Sequence, residues 1–322
     1  MKVIITGGLG FIGSNLVKFL LQKKDIKKII IIDKQSIKKS SYINKICKFN
    51  YFANASSYKS SKFRVDVVRS NVYNYSDALL VCRNTDYIVH LAAESGIDVS
   101  VNEPYKSFKT NILGAFNYLD AARIGNVKGF IFASSSAVFG DTKPPYREDL
   151  NRKPISPYGS SKLAIESYCE TYSQSFGINT TILRFSNAYG PYSQHKNSVI
   201  SKFIKNIFKN RELEIYGDGN QTRDFIYVDE ICSAIYLSIK KSLDCKIYHV
   251  STGKETSMKI LLSELSKLFD KEISNIVYKK PRVGDMKKSY SKSNKISKDL
   301  KWRHSVTLTK GLKKTLNWYK KI

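Results

Sequence analysis

The fold is decided by one stretch near the start of the chain, Val3-Ile4-Ile5-Thr6-Gly7-Gly8-Leu9-Gly10-Phe11-Ile12-Gly13. Its β-branched start predicts a buried strand, and the glycines lead directly into a predicted helix. Gly7 allows a tight turn, Gly10 lets backbone approach a pyrophosphate, and Gly13 permits close packing of helix on strand. Amide groups at the helix N-terminus then face the phosphates. The stretch predicts a dinucleotide site, to which we assign Gly7, Gly10, Phe11, Ile12 and Gly13.

An acidic residue and a run of small residues extend the predicted cofactor site. Asp33 ends the second predicted strand, twenty residues after the glycine loop. A carboxylate there accepts both hydroxyls of the adenosine ribose and repels a 2′-phosphate, so NAD is favoured over NADP, with Lys34 and Lys38 acting against that preference. His90-Leu91-Ala92-Ala93 closes the fourth predicted strand, and its small residues suit close passage of the cofactor. His90 has no nucleophile to activate and is expected to be structural.

Strand-like and helix-like segments alternate through the first part of the chain. The predicted strands are Val3–Thr6, Lys28–Asp33, Phe63–Val68, Tyr87–Leu91 and Gly129–Ser134. The predicted helices between them are Gly13–Lys23, Asn74–Cys82 and Pro104–Ile124. This alternation predicts an α/β fold built on a Rossmann-type, doubly wound parallel sheet, which Thr180–Phe185 and Lys246–Ser251 extend.

Later segments do not alternate and predict a smaller C-terminal α/β substrate lobe. Residues 1–185 are expected to form the NAD-binding Rossmann domain, with residues 225–253 returning to it. Residues 186–322 are expected to form the lobe, interleaved with that domain. The sequence contains no repeat and no low-complexity linker between them.

Composition limits the partners. Hydrophobic residues make up 42% of the 322, as in an ordinary globular protein. The net charge is +27, but the lysines are spread along the chain without a recognition-helix pattern, so nucleic acid is not an expected partner. Apolar runs such as Ile29–Ile32 are too short to cross a bilayer, and no signal peptide precedes Val3. The five scattered cysteines indicate free thiols, so we expect a cytoplasmic protein without a membrane partner or a metal site.

Tyr158 and Lys162 form the predicted catalytic pair. Four residues apart on a helix, a phenol and an ammonium share one face. A free phenol has a pKa of about 10 and is a poor base at neutral pH, whereas a fixed cation beside it favours the phenolate. The pair can then move a proton to or from a hydroxyl. Because most Tyr-x-x-x-Lys pairs are surface residues, the prediction depends on the accompanying glycine loop.

These motifs together resemble the extended short-chain dehydrogenase/reductase family, specifically its nucleotide-sugar epimerases and dehydratases. The resemblance covers nearly the whole chain. Its marks are the glycine loop, His90–Ala93, Ser134–Gly140, the Tyr158/Lys162 pair, Arg184–Pro191, Gly217–Phe225 and Arg282–Asp285. It implies three catalytic residues, Ser135, Tyr158 and Lys162. It implies further NAD contacts at Asn71, Leu91, Ala92, Ala93 and Lys162, although the family often has Asp at the position of Asn71.

The mechanism that the resemblance implies is a transient oxidation. Tyr158 removes the proton of the sugar 4-hydroxyl while hydride leaves C4 for the nicotinamide. Lys162 lowers the pKa of the phenol and holds the nicotinamide ribose, and Ser135 donates a hydrogen bond to the reacting oxygen. The 4-keto sugar then turns and accepts hydride on its other face.

The residues after Ser135 indicate the branch of the family. In the 4,6-dehydratases that the chain resembles, Asp-Glu follows the hydroxyl residue and supplies the acid and base for eliminating water. Ser136 and Ala137 stand at those positions here, and decarboxylases of the family typically keep Glu at the second one. The resemblance therefore favours a 4-epimerase that acts on a UDP-hexose.

The resemblance also implies a set of substrate contacts. They are Ser135, Ser136, Asn187, Asn197, Arg223, Arg282, Asp285 and Ser289. Arg223 and Arg282 suit a diphosphate because a guanidinium can bind two oxygens at once. Ser289 falls where related epimerases limit bulk beside the sugar C2 substituent. A small side chain there implies UDP-N-acetylglucosamine and its galacto epimer, with UDP-glucose as a further substrate.

Other functions are also compatible with the sequence. One is a UDP-glucuronate 4-epimerase, or another sugar-nucleotide dehydratase or decarboxylase. Another, of a different class, is a non-catalytic NAD-binding regulator, although such a protein needs only the glycine loop. Members of the resembled family commonly dimerise through two helices per subunit. A homodimer is therefore expected, with Ala115–Ala122 and Ala164–Tyr172 as its faces.

Overall fold

The computed structural model describes residues 1–38, 41–241, 244–280 and 286–322. Its strands are β1 (Lys2–Thr6), β2 (Lys28–Asp33), β3 (Asn50–Phe52), β4 (Val65–Arg69), β5 (Tyr87–His90), β6 (Gly129–Ser135), β7 (Thr180–Phe185), β8 (Asn187–Tyr189), β9 (Leu213–Tyr216), β10 (Thr222–Arg223), β11 (Phe225–Tyr227), β12 (Lys246–Val250), β13 (Thr256–Ser257), β14 (Ile276–Lys279) and β15 (Lys288–Ser289).

Its helices are α1 (Phe11–Leu20), α2 (Ile43–Ile46), α3 (Tyr75–Cys82), α4 (Ile97–Asn102), α5 (Pro104–Phe108), α6 (Gly114–Ile124), α7 (Pro157–Phe176), α8 (Val199–Phe208), α9 (Val228–Lys241), α10 (Met258–Phe269), α11 (Asn294–Leu300) and α12 (Leu308–Tyr319). A π-helical turn, Lys109–Leu113, joins α5 to α6, and a 3₁₀ turn, Ser136–Val138, follows β6. In the described ranges, no helix is both long enough and apolar enough to cross a bilayer.

Eight parallel strands form the central sheet in the order β12-β7-β6-β5-β1-β2-β4-β3. The chain runs outward from β1 through β2 to β4 and then returns to the other side of β1 as β5. In doubly wound sheets, ligands bind at the carboxyl ends of the strands where the order reverses in this way. The crevice between β1 and β5 is therefore the expected ligand position, and the predicted fold class is confirmed.

The sheet is buried on both faces. Every residue of β2 is buried, because its sequence is a continuous run of isoleucines between Lys28 and Asp33. Such unbroken apolar runs are typical of parallel strands that helices cover on both sides. One face packs on α1 and α9, and the other packs on α3, α6 and α7.

A smaller substructure lies C-terminal to β7 and has its own core. Short strand pairs, β8 with β11 and β9 with β14, alternate with α8, α10 and α12. Their apolar residues form a separate buried cluster that includes Phe203, Leu261 and Leu316. The segment around Ile296 and Trp302, although late in the chain, packs in the core of the large sheet with α9. The domain boundary at residue 185 stays a prediction.

The predicted helix Pro104–Ile124 is three consecutive segments in the structure: α5, the π-helical turn and α6. A π turn is a single-turn insertion within a helix, and the sequence did not predict it. The short elements α2, β3 and α4 were not predicted.

Candidate active site

The start of α7 fixes the position of Tyr158. The Ser156 hydroxyl accepts a hydrogen bond from the Gly159 amide at 3.1 Å, and Pro157 occupies the first helical position. Both features are typical of a stable helix N-terminus. A Cβ on Gly159 would lie 2.5 Å from the Ala137 carbonyl oxygen, so glycine allows α7 to pack directly on the turn after β6. Tyr158 is thereby held next to the end of β6.

The Tyr158 phenol and the Ser135 hydroxyl face each other. Burial raises the pKa of Tyr158, and the Ser135 hydroxyl opposes that effect by stabilising the phenolate. The Ser135 hydroxyl oxygen also accepts from the Ala137 amide at 3.1 Å, which holds its side chain in place. The structure therefore brings together the phenol and the hydroxyl that the sequence predicted as catalytic.

Lys162 lies under this pair and is 2% exposed. Its ammonium donates to the Ala133 carbonyl at 2.7 Å and lies 5.8 Å from the centroid of the Tyr158 ring. Burial lowers the pKa of Lys162 to about 8, although Glu166 acts in the opposite direction. The expectation that Lys162 lowers the pKa of Tyr158 by favouring the phenolate stays a prediction.

The backbone of the glycine loop packs so closely on its neighbours that side chains would not fit there. Gly7 has a φ of 68°, and a Cβ there would lie 2.9 Å from the backbone of Ala92. A Cβ on Gly13 would lie 2.4 Å from the Gly7 carbonyl oxygen. The first amides of α1, at Phe11 and Ile12, have no acceptor within the helix and face outward from its N-terminus. This bare backbone fits a pyrophosphate.

Asp33 lies beside the loop at the end of β2. It is 7% exposed, and its two carboxylate oxygens accept from the amides of Leu9 and Gln35, each at 3.0 Å. Burial raises the pKa of this carboxyl, while those two hydrogen bonds lower it. Each oxygen keeps a second lone pair that can accept from a ribose hydroxyl. Leu91, Ala92 and Ala93 are half-buried at the end of β5, and Asn71 is exposed beyond β4.

His90 is structural, as the sequence indicated. It is fully buried, and its Nδ1 lies 3.1 Å from the hydroxyl oxygen of Thr6. Burial lowers its pKa to about 3, so the ring is neutral. Thr6 also accepts from the Ala92 amide at 3.2 Å and so ties β1 to the end of β5.

Several predicted substrate residues lie together in the smaller substructure. Arg223 and Ser289 are direct partners in the β10–β15 register. Asn187 begins β8 and is exposed, and its amide donates to the Asp224 carbonyl at 2.9 Å. The Arg223 guanidinium donates to the Met286 carbonyl at 2.8 Å. Asn197 is exposed in the loop before α8, and the predicted contacts Arg282 and Asp285 lie outside the described residues.

Ser136 takes a different position from Ser135. Its hydroxyl donates to the Phe185 carbonyl at 3.3 Å and lies 3.4 Å from the Ser291 hydroxyl. The predicted substrate contact at Ser136 is therefore engaged within the protein. Its contact with Ser291, two residues beyond Ser289, brings the end of β6 against the smaller substructure.

Three residues near the site were missed in the sequence. Tyr146 is fully buried, stacks on Phe139 at 4.6 Å between ring centroids, and lies against Ser289. Nothing in its local sequence predicts this contact. Asn111, in the π-helical turn, donates to the Glu94 carbonyl at 3.1 Å. Glu166 lies four residues after Lys162, so helical spacing alone was a signal for it.

The described residues contain no cluster of three or more His, Cys, Asp or Glu side chains arranged to hold a metal ion. Their polar groups instead include a bare phosphate-binding turn after β1 and a phenol beside the end of β6. Such an arrangement can hold a dinucleotide and exchange a proton with a hydroxyl next to it.

Known proteins match the chain over most of its length. The model of the NAD dependent epimerase/dehydratase family matches residues 3–251. A putative UDP-glucose 4-epimerase of Methanocaldococcus jannaschii is 33% identical, with 99% of this chain and 98% of the relative covered. The human dTDP-D-glucose 4,6-dehydratase is 31% identical, with 99% and 90% covered.

A solved structure is similar in fold as well. The UDP-N-acetylglucosamine 4-epimerase of Methanobrevibacter ruminantium M1, in complex with UDP-N-acetylmuramic acid, has a TM-score of 0.86 at 29% identity, with 99% of this chain and 98% of that chain covered. These matches agree with the resemblance and with the glycine loop. The chain belongs to the NAD-dependent epimerase/dehydratase family, which confirms the family and the cofactor predicted from the sequence.

Proposed function

We propose that the protein is an NAD-dependent 4-epimerase of UDP-hexoses, acting on UDP-N-acetylglucosamine and UDP-N-acetylgalactosamine, and on UDP-glucose and UDP-galactose as well. The observation that carries the proposal is the Ser135 hydroxyl facing the Tyr158 phenol above the buried Lys162. This arrangement can take a proton from a sugar hydroxyl and return it. It also argues against a non-catalytic NAD-binding protein, which has no need of the three residues.

The residues present fit NAD. The backbone of Gly7, Gly10, Phe11, Ile12 and Gly13 would hold its pyrophosphate, and the Asp33 carboxylate would accept from its adenosine ribose. Asn71 would lie at the adenine, Leu91, Ala92 and Ala93 along the crevice floor, and Lys162 at the second ribose. When bound, NAD supplies the acceptor and donor of hydride.

The protein's own residues would handle the proton. Tyr158 as phenolate takes the proton of the sugar 4-hydroxyl, and Ser135 donates a hydrogen bond to the oxygen that becomes a ketone. Lys162 keeps positive charge beside the phenolate in a buried environment. After the 4-keto sugar turns, Tyr158 returns the proton to the oxygen at C4, now of inverted configuration. The proton balance over the cycle is zero.

The turn after β6 supports epimerisation over dehydration. Elimination of water requires an acid and a base near C5 and C6. Ala137 has no ionisable group, and the Ser136 hydroxyl is directed to the Phe185 carbonyl. The similarity to a dehydratase makes that product the alternative to be sought in the assay.

The proposed choice of substrates depends on two residues, Ser289 and Arg223. Ser289 is small and buried, and the resemblance implies that a small side chain at this position admits an N-acetyl group. Arg223, in register with it, is suited to the diphosphate, as the resemblance implies for Asn187 and Asn197 as well. Arg282 and Asp285 are proposed as further contacts on the basis of the resemblance alone.

Two further proposals concern the setting of the enzyme. The five cysteines are unpaired thiols, which fits the reducing conditions of the cytoplasm.

Large apolar side chains are exposed along α5, the π-helical turn and α7: Tyr105, Phe108, Leu113, Tyr168 and Phe176. Contiguous apolar patches of this kind are typical of protein interfaces, and we propose a second copy of the chain as the occupant.

The function is tested by incubating the purified protein with separate UDP-sugars and resolving the products by NMR. We expect interconversion of the gluco and galacto epimers at C4. Tyr158→Phe should lower kcat by about 10²- to 10⁴-fold, the range for loss of a general base. Tyr168→Phe, an exposed tyrosine on the same helix, is the matched control and should keep full activity.

Three outcomes contradict the proposal. An alkali-absorbing 4-keto-6-deoxy product indicates a dehydratase, and turnover of UDP-glucuronate alone indicates a different epimerase. Full epimerisation activity in Tyr158→Phe shows that Tyr158 is not the proton carrier.

A further inference from the structure

Tyr158, Lys162 and Glu166 lie on one face of α7. They are spaced four residues apart, so the three side chains follow one another along the helix on the side that packs on β6 and β7. The first two belong to the proposed reaction. Glu166 is fully buried one turn beyond Lys162, and the proposed mechanism gives it no role.

A buried carboxylate is costly unless it is compensated. The Arg184 guanidinium donates to both Glu166 oxygens, at 2.9 and 2.8 Å, and Arg184 is itself fully buried on β7. The Ser134 hydroxyl donates to the same carboxylate at 2.5 Å. Arg152, 30% exposed, lies 3.4 Å from it on the outer side. These three partners hold the Glu166 side chain in place.

The groups around Lys162 are mostly uncharged. From β6 it meets the Ala133 carbonyl and the Phe132 ring, whose centroid lies 4.8 Å from the ammonium. From β5 it faces His90, which is neutral because burial lowers its pKa to about 3. On its own helix the titratable neighbours are Tyr158 and Glu166. Of these groups Glu166 alone has a negative charge that favours the ammonium, and burial, the larger effect, lowers the Lys162 pKa to about 8.

We propose that Glu166 is a positioning residue of the reaction: its carboxylate, anchored by Arg184, Ser134 and Arg152, keeps Lys162 in the ammonium form beside Tyr158. The proposal rests on the proposed function, because it acts on the same phenol. Without Glu166 the ammonium loses its nearest compensating charge, deprotonates at lower pH and no longer supports the phenolate. The proton transfer then fails at the alkaline end of the pH range.

The test removes a negative charge near Lys162 in one variant and a positive charge in another. Glu166→Gln keeps the size of the side chain and removes its charge, so the basic limb of the kcat profile should move about one pH unit lower. Arg152→Gln removes a positive charge from the outer side, so the same limb should move higher. Glu170→Gln, the same chemical change one turn further along α7 at the surface, is the matched control and should leave the limb in place.

A second readout does not depend on the substrate. The Lys162 side chain is followed by NMR titration in the NAD-loaded protein, with its signal assigned by Lys162→Arg. Its pKa should fall in Glu166→Gln and rise in Arg152→Gln, whether or not a UDP-hexose is the true substrate. If epimerisation is absent but these pKa shifts occur, the proposed function fails and the role of Glu166 stands.

If Glu166 has only a structural role, the experiments give a different result. Its loss then lowers the melting temperature while the Lys162 pKa and the basic limb stay where they are. If Glu166→Gln does not fold, Arg152→Gln decides, because Arg152 reaches the surface and its loss leaves the core packing intact. An unchanged Lys162 pKa in that variant, or a shift in the same direction as in Glu166→Gln, overturns the proposal.

Discussion

At the scale of single residues, Ser289 is the residue proposed to limit the size of the sugar C2 substituent. It is buried between Arg223, its register partner, and Tyr146. Tyr146 cannot move aside easily, because it stacks on Phe139 and is itself fully buried. A larger side chain at residue 289 must therefore displace a neighbour or extend into the proposed sugar site.

Ser289→Tyr should change substrate preference more than overall activity. A phenol at this position fills the space proposed for the N-acetyl group, so kcat/KM for UDP-N-acetylglucosamine should fall about tenfold or more relative to UDP-glucose. The measurement is the ratio of the two kcat/KM values. Lys288→Tyr, an exposed neighbour on the same strand, is the control and should keep the wild-type ratio. A wild-type ratio in folded Ser289→Tyr shows that residue 289 does not set this preference.

Residue chemistry could be predicted only in part. The sequence placed Ser135, Tyr158 and Lys162 together because motif order and helical spacing are local properties. It could not show that the Ser136 hydroxyl is used by the Phe185 carbonyl, a contact between strands. It also gave no sign of the burial that raises the pKa of Tyr158, because burial depends on side-chain packing.

At the scale of elements, α7 is the helix on which the site depends. Its capped N-terminus positions Tyr158, its inner face holds Lys162 and Glu166, and Gly177 ends it in the left-handed conformation with a φ of 66°. The neighbouring π-helical turn directs Asn111 to the hydroxyl of Ser161 at 3.2 Å, which joins the two segments. Periodicity predicts the helices, whereas this tertiary contact accounts for the π turn that it missed.

The outer face of the same elements is the proposed dimer surface. Of the faces expected from the sequence, Ala115 and Ala122 are fully buried in the monomer core, so the α6 part is used by core packing. Tyr168, by contrast, is 44% exposed, and Tyr105 on α5 is 72% exposed. The structure thus moves the proposed contact from α6 to α5 and the outer side of α7.

A charge on this surface should separate the two copies. Phe108→Glu places a carboxylate on a side chain that is 50% exposed in the monomer, so monomer stability should change little while association weakens. Sedimentation velocity should show a dimer for the wild-type protein and a monomer for the variant. Phe208→Glu, an equally large exposed side chain on α8, is the control and should stay dimeric. A wild-type monomer, or an unchanged dimer in Phe108→Glu, contradicts the proposed interface.

At the scale of the whole molecule, Asp224 joins the parts that form the site. It is fully buried, and its carboxylate accepts from the Thr252 and Gly253 amides at 3.0 and 2.9 Å. Its own amide donates to the Ser289 carbonyl at 3.0 Å. Segments far apart in sequence thus meet at one carboxylate, next to the proposed substrate residues Arg223 and Ser289.

Long-range assembly marks the limit of what the sequence predicted. The alternation of strands and helices, with Asp33 at the end of β2, was enough for the sheet and the cofactor site, because each feature is contained in one βαβ unit. The contacts of Tyr146 with Ser289, and of Ser136 with Ser291, join segments about 150 residues apart. No periodic pattern encodes such contacts, so the substrate side of the site required the structure.

The net charge of +27 should speed the capture of an anionic substrate. A UDP-sugar carries a diphosphate, and salt screens its attraction over a Debye length that falls to about 3 Å at 1 M. Raising NaCl from about 0.05 M to about 0.5 M should therefore lower kcat/KM about threefold or more while kcat at saturation stays constant. Lys287→Glu, close to Ser289, should flatten this salt dependence. Lys24→Glu should leave the salt dependence unchanged. Lys24 is exposed in the turn before β2, at the amino ends of the strands. Equal salt dependence in both variants shows that no local field at the crevice attracts the substrate, and that the excess lysines serve only as a solvated surface.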